Sequence, residues 1–254
     1  MCAKCSKKDI QPHRSRYWLN AKADPRRDER IADINRVYRE HALRHDEIVF
    51  SVDEATGIQA LERIAPDRRM APGKPLAREF EYRRHGTQTL IAALRVETGE
   101  VHARCGDTRT EEDCARFIDE LIEAHLGYRV HHIVLDQLNT HKSEALVRMI
   151  ARRCGIKEPL GVKGCSGILA SMETGAAFLE CPDKSIVFHY TPKHASWMNQ
   201  IEVWFGILGS KVIRRGNFPS TNALRERITS FIDYFNKTMA KPFKWTFQGK
   251  PLEA

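Results

Sequence analysis

The 254-residue chain predicts an α/β fold, a mixed sheet flanked by helices. Short apolar runs with strand texture, at 48–53, 89–96, 101–105, 132–136 and 186–190, alternate with helical stripes. The early strands lie close together in sequence, with a hairpin signal at Thr98-Gly99-Glu100. The later strands are separated by helices, which implies parallel crossovers. Antiparallel and parallel pairings therefore share one sheet.

Residues 1–20 carry Lys4, Lys7, Lys8, His13, Arg14 and Arg16 with little periodicity. Asp24-Pro25 reads as a turn, and Ile31, Ile34, Val37 and Tyr38 follow at helical spacing. This predicts a basic tail and connecting helix over 1–45, then one large domain over 46–254. Within the latter, 58–61 is a candidate second strand and 65–74 a loop rich in Pro, Arg and Gly. Thr110-Glu111-Glu112-Asp113 resembles a capping box. Behind it Cys114, Phe117, Ile118, Leu121 and Ile122 form an apolar stripe. The run at 132–136 has a continuous apolar centre, as in a sheet covered on both faces. A helix over 143–154 follows. Residues 155–183 are the least periodic part of the core and read as an insertion. After Trp197 a helix places Ile201, Trp204, Phe205, Leu208 and Val212 on one face. Pro219-Ser220-Thr221 opens a last helix with Leu224, Ile228, Phe231, Ile232 and Phe235.

No stretch approaches the roughly 18–20 apolar residues that span a bilayer. The first eight residues lack the apolar centre of a secretory signal. Seven scattered cysteines do not form a disulfide framework. Together these point to the cytoplasm, with no membrane partner. Net charge is +8, split as +5 over residues 1–46, −3 over 47–192 and +6 over 193–254. Basic ends around a slightly acidic middle suit a metal site flanked by surfaces that attract a polyanion, and equally a merely basic soluble protein.

Three carboxylates stand out. Asp53 and Asp136 each end an apolar strand run, and Glu202 opens a helix. Positions 49, 51 and 53 share one strand face, so Asp53 emerges from a rigid support. The central strand delivers Asp136 to the carboxyl edge of the sheet, where open α/β sheets bind ligands. Gly206 and Gly209 lie four and seven residues beyond Glu202 and suggest close approach of a backbone or ligand. The plainer alternative is three capping residues. Converging, the three would hold divalent metal and serve phosphodiester chemistry.

The blocks Ser51-Val52-Asp53-Glu54, Arg84-His85-Gly86-Thr87 and Leu135-Asp136-Gln137-Leu138-Asn139-Thr140-His141 are similar to those of bacterial insertion-sequence transposases. So is the long block from Tyr190-Thr191-Pro192-Lys193-His194 to Asn199-Gln200-Ile201-Glu202. The chain resembles the mariner-related six-thirty family from about residue 14 to the C-terminus. The resemblance implies an RNase H-like fold of the retroviral-integrase superfamily. It implies a DDE site in which Asp53, Asp136 and Glu202 hold two Mg²⁺ ions, Mn²⁺ being the alternative metal. It also implies cleavage at transposon ends, then strand transfer into a TA target. The partners would be double-stranded DNA and a second subunit, as a homodimer on DNA associated with the nucleoid.

The chain departs from the family in three ways. Gln137 stands where asparagine is usual. Sixty-six residues separate Asp136 from Glu202, with 155–183 as the insertion. No helix-turn-helix region is evident, and residues 12–19 resemble only its end. Further candidates are Arg14, Arg16, Lys193, Arg214 and Arg215 as DNA contacts. Asn139, His141, His194 and Asn199 are candidate supports around the metal site, the histidines being either phosphate or hydroxyl partners or ordinary loop residues. Lys157 and Lys163 are candidate DNA contacts from a mobile loop around Gly161–Gly167, a stretch that lacks the order of a phosphate-binding loop. Cys2-x-x-Cys5 has half a zinc site's spacing without a second half. Trp197 and Trp204 read as core, with base stacking as the alternative. Two rival functions stay open: a nuclease without strand transfer, and a truncated, non-enzymatic remnant that binds DNA or intact subunits.

Overall fold

The computed structural model describes residues 24–248. Helix α1 (Arg27–Arg39) precedes strands β1 (Glu47–Arg63), β2 (Tyr82–Arg95) and β3 (Val101–Gly106). Then come α2 (Glu111–Glu123), β4 (Val130–Leu135), α3 (Glu144–Arg153), α4 (Met172–Glu180), β5 (Ile186–Tyr190), α5 (Ile201–Leu208) and α6 (Thr221–Thr238). The five strands form one sheet in the order β3-β2-β1-β4-β5. Pairs β3/β2 and β2/β1 are antiparallel, whereas β1/β4 and β4/β5 are parallel. Among the described residues no helix is long and apolar enough to cross a membrane.

Alternation along β1 sorts the two cores. Ile48, Phe50 and Val52 face α2, α3 and α4, where Ile118, Leu121, Val147, Ile150 and Leu179 complete one buried cluster. Val49 faces the other way and packs with Ile34, Val37 and Tyr38 of α1. On that second face, farther along the sheet, Leu90, Ala92 and Leu94 meet Trp204 of α5 and Leu224, Ile228 and Phe235 of α6. The sheet is covered on both sides, as the continuous apolar centre of β4 requires. Helix α2 begins with the expected capping box, Thr110 accepting from the Asp113 amide while Asp113 accepts from that of Thr110. Helix α1 is tied to β5 by His189 Nδ1, 2.6 Å from Asp33 Oδ2.

One expectation needs correction. Residues 58–61 are not a separate strand; they continue β1 beyond a register shift between Ala55 and Ile58, where Gly57 sits at φ +66°. A glycine at that backbone angle supplies the irregularity without breaking the strand. The aperiodic 155–183 segment contains α4, whose Ala176 and Leu179 are buried. Its short apolar stripe, interrupted by Gly175, masked the helix. Gly175 is the point of contact, because a Cβ there would lie 3.4 Å from Val147 Cγ2. Within the same segment Lys163 reaches Glu111 at 3.4 Å and Glu144 at 3.6 Å, so its charge is already partnered.

Candidate active site at the carboxyl edge of the sheet

The parallel register of β1 and β4 pairs Ser51 with Val134. The paired register ends there; Asp136 follows one residue beyond the end of β4, close enough for its charge to raise the Asp53 carboxyl. Ser51 and Asp53 lie on the side of β1 to which the start of α5 is bonded. Helix α5 is fastened there by buried hydrogen bonds to β1. Ser51 Oγ donates to Asn199 Oδ1 and accepts from the Ile201 amide at 2.9 Å. Asn199 Nδ2 donates to the Val52 carbonyl at 2.7 Å and to Asp53 Oδ2 at 3.4 Å. Asn199 is fully buried, so these bonds are shielded from water. They fix the start of α5, whose first turn carries the exposed Glu202, relative to the strand that carries Asp53; the three carboxylates do not close to within 4.8 Å of one another.

The electrostatics of the three acids are coupled. Burial, then the charge of Asp136 and, more weakly, that of Glu202, push the Asp53 carboxyl up to about 7. Burial and Asp136 also raise Glu202. Asp136 moves the opposite way: burial would raise it, but His141 and the Leu138 amide hold it below the usual carboxylate range. Asp136 is thus the anion that the other two feel.

His141 is fully buried and touches two carboxylates. Its Nδ1 lies 2.8 Å from Asp136 Oδ1 and its Nε2 lies 3.3 Å from Glu54 Oε1. Burial alone would lower the imidazole, yet these two carboxylates hold it up to about 10. Glu54, on the opposite face of β1 from Asp53, is 2% exposed at its side chain. Sequence reasoning missed Glu54 as part of the site. The only available signal was its place in Ser51-Val52-Asp53-Glu54, and strand alternation turns it away from Asp53. Gln137, the unusual amide, bridges the loops after β4 and β5, donating from Nε2 to the Thr191 carbonyl at 2.8 Å.

The remaining candidates are placed as follows. Lys193 and His194 are exposed and line a cleft with Asp136 and Gln137. His194 holds a left-handed backbone at φ +59°, unusual for a residue with a side chain. Asn139 is exposed and lines a different cavity, with Lys163 and Ser171, so it does not join the acids. Arg214 and Arg215 are exposed at the far end of the α5 segment, about 18 Å along the axis from Glu202 at 1.5 Å per residue. Arg14 and Arg16, with Cys2 and Cys5, lie outside the described residues. No backbone packs against Gly206 or Gly209, since a Cβ at either would meet nothing within 4 Å. Instead the helix widens after α5, with the Arg214 amide bonding the Gly209 carbonyl five residues back. Trp204 is buried core, but Trp197 is 54% exposed and rests edge-on against Phe247, 4.8 Å between ring centroids.

The donor set fits a divalent metal. Carboxylates supply the hard oxygen ligands that Mg²⁺ and Mn²⁺ prefer. Asp53 and Glu202 are raised first by burial and then by the charge of Asp136, and a doubly charged cation would offset both effects.

Comparison with known proteins supplies the family and the fold. Residues 48–225 match the family described as DDE superfamily endonuclease. No curated protein sequence matches the chain. Among solved structures, the fold is similar to the Mos1 transposase paired-end complex with left transposon end, at TM-score 0.51 and 11% identity over 91% of this chain and 61% of that one. The Mos1 mariner paired-end complex with Mn gives TM-score 0.51 at 8% identity, over 91% of this chain and 65% of that one. The Mos1 strand transfer complex gives 0.50 at 11% identity, over 91% and 60%. The chain thus spans somewhat under two thirds of the length of those transposase chains. At such low identity the likeness establishes the RNase H-like fold alone. The family match covers well over half of the sequence, and on that ground the chain belongs to the DDE superfamily endonucleases.

Proposed function

We propose that the chain is the catalytic part of a bacterial insertion-sequence transposase that cuts DNA at transposon ends and joins the freed 3′ ends to target DNA. Asp53, Asp136 and Glu202 are its catalytic residues and the ligands for two Mg²⁺ ions. The observation that carries this reading is the β1/β4 register beside Asp53 and Asp136, with α5 pinned to the same strand through Asn199. When bound, divalent metal would lower the pKa of the attacking water or 3′-hydroxyl and stabilise the leaving oxygen.

The chain's own residues have separable tasks in this proposal. His141 keeps Asp136 ionised and fixes its orientation. Asn199 holds Asp53 and the start of α5 in a constant relation. Lys193 and His194 offer donors to a phosphate entering the cleft beside Asp136, and Arg214 and Arg215 would meet the backbone farther along. Arg14 and Arg16 would add charge from the N-terminal tail. Two subunits on paired transposon ends, each as a homodimer partner of the other, complete the reading.

A strand-transfer assay with pre-cut transposon-end duplexes and a plasmid target in Mg²⁺ tests it. Joined product that vanishes in Asp136→Asn supports the transposase. Hydrolysis without joining would leave the plain nuclease, and neither product with intact folding would leave the non-enzymatic remnant.

A further inference from the structure

A second cluster of chemically active side chains lies at the opposite end of the sheet from the acids. Glu47 opens β1, roughly 20 Å along the strand before Asp53 at 3.3 Å per residue. The parallel registers set Val49 beside His132 and Val134 beside His189. Strand alternation therefore puts Glu47, His132 and His189 on the face that α1 covers. A single helical turn at His41–Leu43, between α1 and β1, brings His41 to the same place. Glu47 Oε2 lies 2.5 Å from His41 Nδ1 and 3.1 Å from His132 Nε2. The three ligand atoms fall within 4.8 Å of one another. Glu47 and His132 are buried, and His41 is half-buried.

The cluster continues as a row of side chains. His132 Nδ1 lies 3.0 Å from His189 Nε2, and His189 Nδ1 lies 2.6 Å from Asp33 Oδ2 of α1. Three contacts thus link Asp33, His189, His132 and Glu47 in turn, and each needs a hydrogen. A neutral imidazole carries a single N–H, so the two rings supply only two of the three. With Asp33 accepting from His189 and His189 accepting from His132, a lone pair on His132 Nε2 faces Glu47 Oε2. A third hydrogen or a metal ion must stand between them. His41 Nδ1 converges on that same oxygen, so three ligand atoms surround the gap. Arg44 and Arg129 hold the other oxygen, Oε1, at 3.0 and 2.7 Å and fix the carboxylate's orientation. Arg129 also meets Asp46, and Arg36 meets Asp33, each at 2.6 Å, so these arginines and acids balance in charge.

We infer that His41 Nδ1, His132 Nε2 and Glu47 Oε2 form a binding site for a divalent transition metal of the zinc type, separate from the acidic site. Two imidazoles and one carboxylate are a zinc ligand set, whereas Mg²⁺ takes oxygen ligands. Zinc with ligands at about 2.0–2.2 Å holds tetrahedral donors roughly 3.3 Å apart. The contact between Glu47 and His132, at 3.1 Å, is close to this, and His41, on a partly exposed turn, can widen its 2.5 Å contact. His132 would donate through Nδ1 to His189 and so to Asp33, the carboxylate-backed arrangement that orients metal-ligating histidines. Water from the open side of His41 would complete the tetrahedron. The ion would clamp the junction of α1 and β1 to β4. Nothing in this inference depends on the proposed DNA chemistry.

The test is calorimetric titration of Zn²⁺ into the full chain, with excess Mg²⁺ present for the acidic site. A single zinc ion should bind and release about one proton, because it replaces the third hydrogen; buffers of different ionisation enthalpy read the release. His41→Gln, on a surface turn, should weaken binding by more than about 100-fold, and Asp33→Asn by about 10–100-fold. Zinc should raise the melting temperature of wild type but not of His41→Gln. Asp53→Asn/Asp136→Asn and Cys2→Ser/Cys5→Ser should bind zinc as wild type does. Wild-type zinc affinity in His41→Gln overturns the inference, as does a wild type that binds no zinc. Loss of zinc in either double variant also overturns it and assigns the ion to the acidic site or to the N-terminal cysteines. Binding without proton release overturns it as well, since the row would then keep its third hydrogen. Strand joining in Mg²⁺, read separately, reports the acidic triad and not this cluster.

Discussion

Replacing Asp53 with asparagine should stabilise the metal-free protein while abolishing its chemistry. The carboxyl is 7% exposed and sits beside Asp136, and together these raise it from 3.8 to about 7. Its folded value therefore exceeds its unfolded one, so the folded protein holds the proton more tightly. Wild-type stability in EDTA should accordingly fall as pH climbs from about 4 to about 7 and level off above. At about 1.4 kcal/mol per unit, the ionised carboxylate costs the fold on the order of 2–4 kcal/mol at pH 8. The substituted amide would keep its bond from the Glu54 amide but turn an NH₂ toward Asn199 Nδ2, where the wild-type carboxylate accepts at 3.4 Å. That mispairing gives back about 1 kcal/mol. The net gain of roughly 1–3 kcal/mol corresponds to about 3–10 °C in melting temperature for a chain of this size. Thermal denaturation of both proteins from pH 4 to 8.5, with EDTA and then with Mg²⁺, measures it. The gap should open through the stated window, and Mg²⁺ should raise only the wild type. A pH-independent gap, or a less stable Asp53→Asn at pH 8, would refute the coupled-carboxylate account.

Three further outcomes follow from the same geometry. Asn199→Ala removes donors to Val52 and Asp53 and the acceptor of Ser51, leaving buried polar groups unpaired. It should cost about 2–4 kcal/mol in denaturant unfolding and reduce cleavage far more than duplex binding. Glu54→Gln takes one of two carboxylates from His141, so the imidazole should titrate well below about 10 in a nitrogen-detected NMR titration; an unmoved value would deny Glu54 its role. A Cβ on Gly99, at φ +77°, would lie 2.1 Å from the Lys241 carbonyl oxygen, so Gly99→Ala should destabilise by more than about 2 kcal/mol. Unchanged chemical denaturation would show that the C-terminal segment gives way.

Much of this protein is local in its chain. The period-two and period-3.6 patterns announce the strands and most helices, because each element buries one face and its own side chains record which. Thr110 with Asp113, and Asp53 and Asp136 at the ends of apolar runs, are legible for the same reason. Helix α4 and the continuity of β1 past Gly57 were hidden, since a short stripe and a tolerated irregularity weaken the pattern on which such reading depends. What only the tertiary structure decided is adjacency. Asp53 and Asp136, 83 residues apart, become neighbours through the parallel register of β1 and β4, which crossover packing sets and no periodicity encodes. Likewise the start of α5 is fixed to β1 through Asn199 and Ser51, and Glu54 faces His141 across the opposite side of one strand.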